Sequence, residues 1–117
     1  MKMEKRKELK AVGINLESGL ARFVGNESLF IDFLKKFPYD STYSKVEEEL
    51  NQNNSVAAYK AAHTLKGVAG NLSLDSLYQQ MNPLVESLRK GKIEDAKSQF
   101  CFVKECYSEI VTVLNDL

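Results

Sequence analysis

Residues 55–73 read Ser55-Val56-Ala57-Ala58-Tyr59-Lys60-Ala61-Ala62-His63-Thr64-Leu65-Lys66-Gly67-Val68-Ala69-Gly70-Asn71-Leu72-Ser73. At about 100° per residue, Ala58, Ala61, Ala62, Leu65, Ala69 and Leu72 fall on one arc. The spacing therefore predicts a single helix over 55–73 that buries this face in a helical bundle. His63, the only histidine in the chain, points roughly 150° away from the middle of that arc. It shares its strip with Val56, Tyr59, Lys60, Lys66, Gly67 and Gly70, so its imidazole is predicted to stand in water.

Two glycines in that strip need a reason, since each costs about 1 kcal/mol relative to alanine inside a helix and neither faces the core. Close approach by another surface is one. Gly67, a turn beyond His63, removes a side chain that would stand between the ring and an incoming body, and Gly70 extends the bare floor by another turn. Lys66, three residues on from His63, places an ammonium beside the imidazole without covering it.

The rest of the chain reads as support for this helix. Lys2 to Lys10 is a charged, helix-friendly lead, read as a solvated helix end rather than a basic arm. Asn15 to Phe23 offers Leu16, Leu20 and Phe23 at helical spacing, before a turn at Gly25-Asn26. Ser28 can cap the next helix, whose Leu29, Phe30, Phe33, Leu34 and Phe37 form an apolar face assigned to the core. Pro38 kinks or restarts that helix before Tyr43, Val46 and Leu50 resume the stripe. A polar loop over 51–54 follows, and Asn54 or Ser55 caps the histidine helix. Leu74, Leu77, Met81, Leu84 and Leu88 mark a returning antiparallel helix with a kink expected at Pro83, stopped at Lys90-Gly91-Lys92. Ile93, Ala96, Phe100, Val103, Tyr107, Ile110 and Leu114 alternate by three and four along a final helix.

The predicted fold is all-α: an antiparallel up-down four-helix bundle with a short N-terminal helical segment. One domain spans 1–117, with the bundle core over about 28–115 and residues 1–27 as a lead. A turn near Ser73 and Leu74 brings residues 82 to 86 alongside His63, which makes Asn82 and Glu86 candidates for contact with the ring.

Composition narrows the function. Lys plus Arg and Asp plus Glu number 16 each, for a formal net charge of zero, so nothing electrostatic points to nucleic acid or an anionic membrane. No apolar run approaches the length of a spanning helix, and Met1 to Lys10 is too charged for a signal peptide, so a cytoplasmic location is expected. Cys101 and Cys106 are five residues apart on one helix, about 140° apart in direction, and read as free thiols. No second histidine or cysteine pair is available for zinc. The inward Glu-x-x-His pairs of a di-iron bundle are missing, as is any nucleotide-binding glycine loop. Thr64 and Tyr59 have no base oriented by an acid to activate them.

Ala62-His63-Thr64-Leu65-Lys66-Gly67, followed by Asn71-Leu72, resembles the signature of histidine phosphotransfer (HPt) domains, the intermediates of multistep two-component phosphorelays. The segment from Gly13 to Phe37, including Gly19-Leu20-Ala21-Arg22-Phe23-Val24-Gly25-Asn26-Glu27, resembles the family's entry segment, and the likeness covers roughly residues 13 to 114. Ser73 departs from it, standing where the family usually has glycine, which bears on the helix bend more than on the chemistry.

The resemblance implies a phosphocarrier that takes a phosphoryl group from a receiver-domain phosphoaspartate onto His63 and passes it to another receiver domain, with Lys66 helping to hold the phosphate oxygens. It implies that Asn82 or Glu86 hydrogen-bonds the imidazole and fixes its orientation. Response-regulator receiver domains and a hybrid sensor kinase are the implied partners. The chain itself needs no cofactor and has no kinase activity of its own, magnesium being expected on the receiver alone. An unperturbed imidazole, with a pKa of about 6.5, is mostly neutral near pH 7, as a nucleophile must be.

With the neutral composition, the resemblance implies a monomer. The starting methionine and full set of helices permit an independent protein. The alternative is an interaction module, a relative of the family that has lost its relay and docks without chemistry. Phe102, off the core stripe, would serve such a surface.

Overall fold

The structure, a computed structural model, describes all residues from Met1 to Leu117 and contains no β-strand. Seven helices follow one another: α1 (Met3–Ala11), α2 (Leu16–Arg22), α3 (Glu27–Lys36), α4 (Thr42–Asn51), α5 (Ser55–Asn71), α6 (Asp75–Arg89) and α7 (Ile93–Asn115), with a 3₁₀ turn at Phe37–Tyr39 between α3 and α4. In the bundle α4 packs on α5, α5 on α6 and α6 on α7, and α7 closes the ring against α3, α4 and the 3₁₀ turn. Short loops between neighbours make every step antiparallel.

The arc predicted for α5 is its buried face: Ala58, Ala62, Leu65 and Ala69 are fully enclosed, and Ala61 and Leu72 nearly so. Small side chains there let α4 and α6 approach α5 closely. The α6 stripe of Leu74, Leu77, Met81, Leu84 and Leu88 is buried likewise, as are Ala96, Phe100, Val103, Ile110 and Leu114 of α7, with Ile93 and Tyr107 partly covered.

Several expectations change in detail. Of the kink or restart expected at Pro38 the chain takes the restart, passing through the 3₁₀ turn before α4 begins. The α3 face is narrower than its sequence suggests: Phe30, Leu34 and Phe37 enter the core, whereas Leu29 and Phe33 are each 42 % exposed. The cap of α3 is Asn26, not Ser28, since the Asn26 Oδ1 accepts from the Leu29 N–H at 3.0 Å. Asn54 caps α5, accepting from the Ala57 N–H. Pro83 lies inside α6, which runs as one helix from Asp75 to Arg89, so the proline does not end it. That proline lies on the exposed side of α6, where water can take the Gln79 carbonyl it leaves without an intrahelical donor. The N-terminal lead is more than a solvated end, because Leu9 and Ile14 join the core.

The α5–α6 turn fixes the lead in place. Ser73 has a left-handed φ of 56°, a conformation that favours glycine. Serine is held there by contacts with the chain before α3: its hydroxyl donates to the Ser18 hydroxyl at 3.0 Å, and its carbonyl accepts from the Asn15 N–H at 2.8 Å. Ile14 and Leu74 form an isolated antiparallel bridge at the same place. Gly91, with φ of 74°, ends α6 as its position predicts.

Candidate functional site

His63 sits near the middle of α5 and is exposed. The helix positions it: Ala62, Leu65 and Ala69 lie on one fully buried arc, and His63 projects from the far side of the helix into solvent. The Tyr59 ring stands one turn back, its centroid 6.0 Å from that of the imidazole and tilted by 41°. The Thr64 hydroxyl is turned inward on the backbone, donating to the Lys60 carbonyl at 3.0 Å.

The two glycines differ. A Cβ built on Gly67 would meet no atom within 4 Å, so the surface one turn beyond His63 is open. A Cβ on Gly70 would lie 3.3 Å from the Tyr78 ring. The bare floor therefore ends at Gly67, and over Gly70 the surface is the aromatic ring of α6. Lys66 is partly covered, and its ammonium stands over the same ring, 5.2 Å from the centroid.

Antiparallel packing of α5 and α6 is anchored at two levels, with Gly70 beside Tyr78 and Tyr59 lining one shallow groove with Leu88 and Arg89. Between them, Val85 is the α6 residue level with His63, and it is buried. Asn82 and Glu86 lie within a turn of it and are both exposed, but neither hydrogen-bonds the imidazole. Glu86 binds Arg89 instead, through an Arg89 Nε–H donated at 3.3 Å and a second, shorter contact from Nη2. That pairing, with the charges of Lys90 and Lys66, holds the Glu86 carboxyl below the usual carboxylate range. The site thus combines an exposed imidazole, an opening one turn beyond it at Gly67 and the Lys66 ammonium over the Tyr78 ring, while the Glu86 carboxylate on α6 is engaged by Arg89.

A family model, the Hpt domain, matches residues 40–112, more than half of the chain. The chain belongs to the Hpt domain family. No curated protein and no solved structure matches it. As an Hpt domain it has a histidine phosphotransfer role in general, as a phosphocarrier, and receiver domains of phosphorelays as its class of partner. The matched span holds α4, α5, α6 and all but the last three residues of α7, and so includes the helix that presents His63 and those packed around it. No helix of this Hpt domain is long and apolar enough to cross a membrane.

Tyr78 and Arg89 are the members of the site that the sequence reading missed. Both were within reach of it, because the antiparallel register that selects Asn82 and Glu86 also brings Tyr78 to Gly70 and Arg89 to Tyr59. An aromatic residue on the polar side of α6 was the available signal.

Proposed function

We propose that His63 is the phosphoacceptor of this Hpt domain, taking the group from a receiver phosphoaspartate and returning it to another receiver. The supporting observation is an exposed imidazole one turn from Gly67, where a docking surface meets no side chain. A receiver seated over Gly67 brings its acyl phosphate in line with a ring nitrogen. The nitrogen lone pair forms the N–P bond while the P–O bond to the aspartate breaks. The carboxylate leaves with the electron pair, and the ring proton left in excess on the imidazolium passes to solvent.

Little covalent chemistry is asked of the chain, so positioning and charge supply most of the effect. Lys66 neutralises oxygens of the transferred group. Magnesium belongs to the receiver in this scheme. The donor of the relay is a hybrid sensor kinase and its acceptor a response regulator, while this chain has no kinase activity of its own and acts as a monomer. In this reading Asn82, or Glu86 once it leaves Arg89, meets the ring when a partner covers it, since such hydrogen bonds often tighten only in the assembled complex.

The test is to mix the chain with a receiver domain carrying labelled phosphoaspartate and follow acid-labile, base-stable label on the chain, with His63→Gln as the control. Label is expected on the wild type and not on the variant. Label that persists in the variant, or that no receiver from the same cell ever delivers, overturns the reading and leaves the interaction module.

A further inference from the structure

Lys66 has an unexpected neighbour. A helical side chain leans towards the N-terminal end of its own helix, which would carry the Lys66 ammonium back towards His63. It lies instead over the Tyr78 ring at 5.2 Å, and that ring rests against Gly70, a turn further along α5. Glu86, the carboxylate that feels the Lys66 charge, is occupied by Arg89. Tyr78 is 39 % exposed, so it is not simply a core residue that the lysine covers, and a side chain at Gly70 would crowd its ring. The glycine and the tyrosine together make a seat for the ammonium.

Resting on the reading of His63 as phosphoacceptor, we propose that Tyr78 is a positioning residue that acts through Lys66. Its ring holds the ammonium while His63 is free, and the phosphoryl group draws the ammonium off the ring when His63 is modified. The cation–π contact stabilises only the unphosphorylated state. It therefore shifts the phosphoryl equilibrium towards the receiver aspartate and keeps the carrier ready to hand the group on.

The equilibrium partition of label between receiver aspartate and His63 tests this, measured at concentrations too low for a stable complex, where a lost docking contact alters rates but not the ratio. Tyr78→Leu is expected to shift the ratio towards phosphohistidine by about two- to fivefold, the range of an exposed cation–π contact, and Tyr78→Phe to behave as the wild type. In a Lys66→Ala background Tyr78→Leu is expected to change nothing further. A direct readout is the ring-current shift of the Lys66 side-chain protons in NMR spectra, which phosphorylation and Tyr78→Leu should each abolish. An unchanged ratio in Tyr78→Leu, or an equal shift with and without Lys66, overturns the proposal while label on His63 still stands. Absence of label on His63 would instead strike the underlying reading.

Discussion

Gly67 follows His63 by one helical turn, and a methyl group placed on it would touch nothing within 4 Å. Packing gives no reason for glycine here, and helix propensity disfavours it by about 1 kcal/mol against alanine. Gly67→Ala should therefore raise stability by about that amount in thermal or urea unfolding. Gly67→Gln should fold equally well and slow receiver-to-His63 transfer by an order of magnitude or more, because its side chain occupies the docking floor. Wild-type transfer by Gly67→Gln would remove the functional reason for the glycine.

Gly19 is the opposite case. A Cβ there would lie 2.2 Å from the tip of the Phe30 ring, and Phe30 is fully buried with the Phe23 ring 5.4 Å away. The ring cannot retreat. Gly19→Ala should lower stability by about 1–3 kcal/mol, the cost of overpacking a filled core, although alanine favours the helix. Measured side by side, Gly67→Ala and Gly19→Ala should move the unfolding midpoint in opposite directions.

Periodicity explains why much of this molecule could be read from its sequence. The α5 arc from Ala58 to Leu72 and the α6 and α7 stripes repeat at the helical period, and burial of that stripe is what holds such helices together. The outward direction of His63 followed from the same arithmetic. What escaped depends on contacts between distant segments. Leu9 sits among charged residues and Ile14 in a short stretch with no stripe of its own, and their burial goes with the Ser73–Asn15 and Ser73–Ser18 hydrogen bonds that tie the lead to the α5–α6 turn. Leu29 and Phe33 belong to the α3 stripe but remain exposed, because the surface they could pack on is narrower than the stripe. Tyr78 reads as a surface residue until the α5–α6 register sets it on Gly70 and under Lys66.

The capping of α3 offers a local test. The Asn26 side chain accepts from the Leu29 N–H, satisfying a donor that the first turn of a helix leaves free, whereas Ser28 already lies inside the helix. Asn26→Ala should cost about 1 kcal/mol, seen as a lower urea midpoint with an unchanged slope. Ser28→Ala should be close to neutral. Equal losses in the two variants would put the cap elsewhere.

Tyr43 gives the chain an alkaline limit. Its ring stacks on Tyr107, with centroids 3.7 Å apart and planes within 2°, and it is 8 % exposed. Burial first, then the Glu47 charge and the neighbouring Tyr107, push its pKa from the ordinary 10.0 up to about 12. In the unfolded chain the phenol ionises near its ordinary value, while the folded chain keeps the proton until about pH 12. Between those limits the unfolded state binds fewer protons, so stability falls as pH rises. The contribution is fully present below about pH 10 and is lost as the pH climbs towards 12. Tyr43→Phe keeps the stacked ring and removes the ionisable group. It should melt within a few degrees of the wild type at neutral pH and show a shallower decline above pH 10. Tyr107, also raised by burial, should supply the remaining slope. An identical alkaline decline in Tyr43→Phe would mean that another group sets the limit.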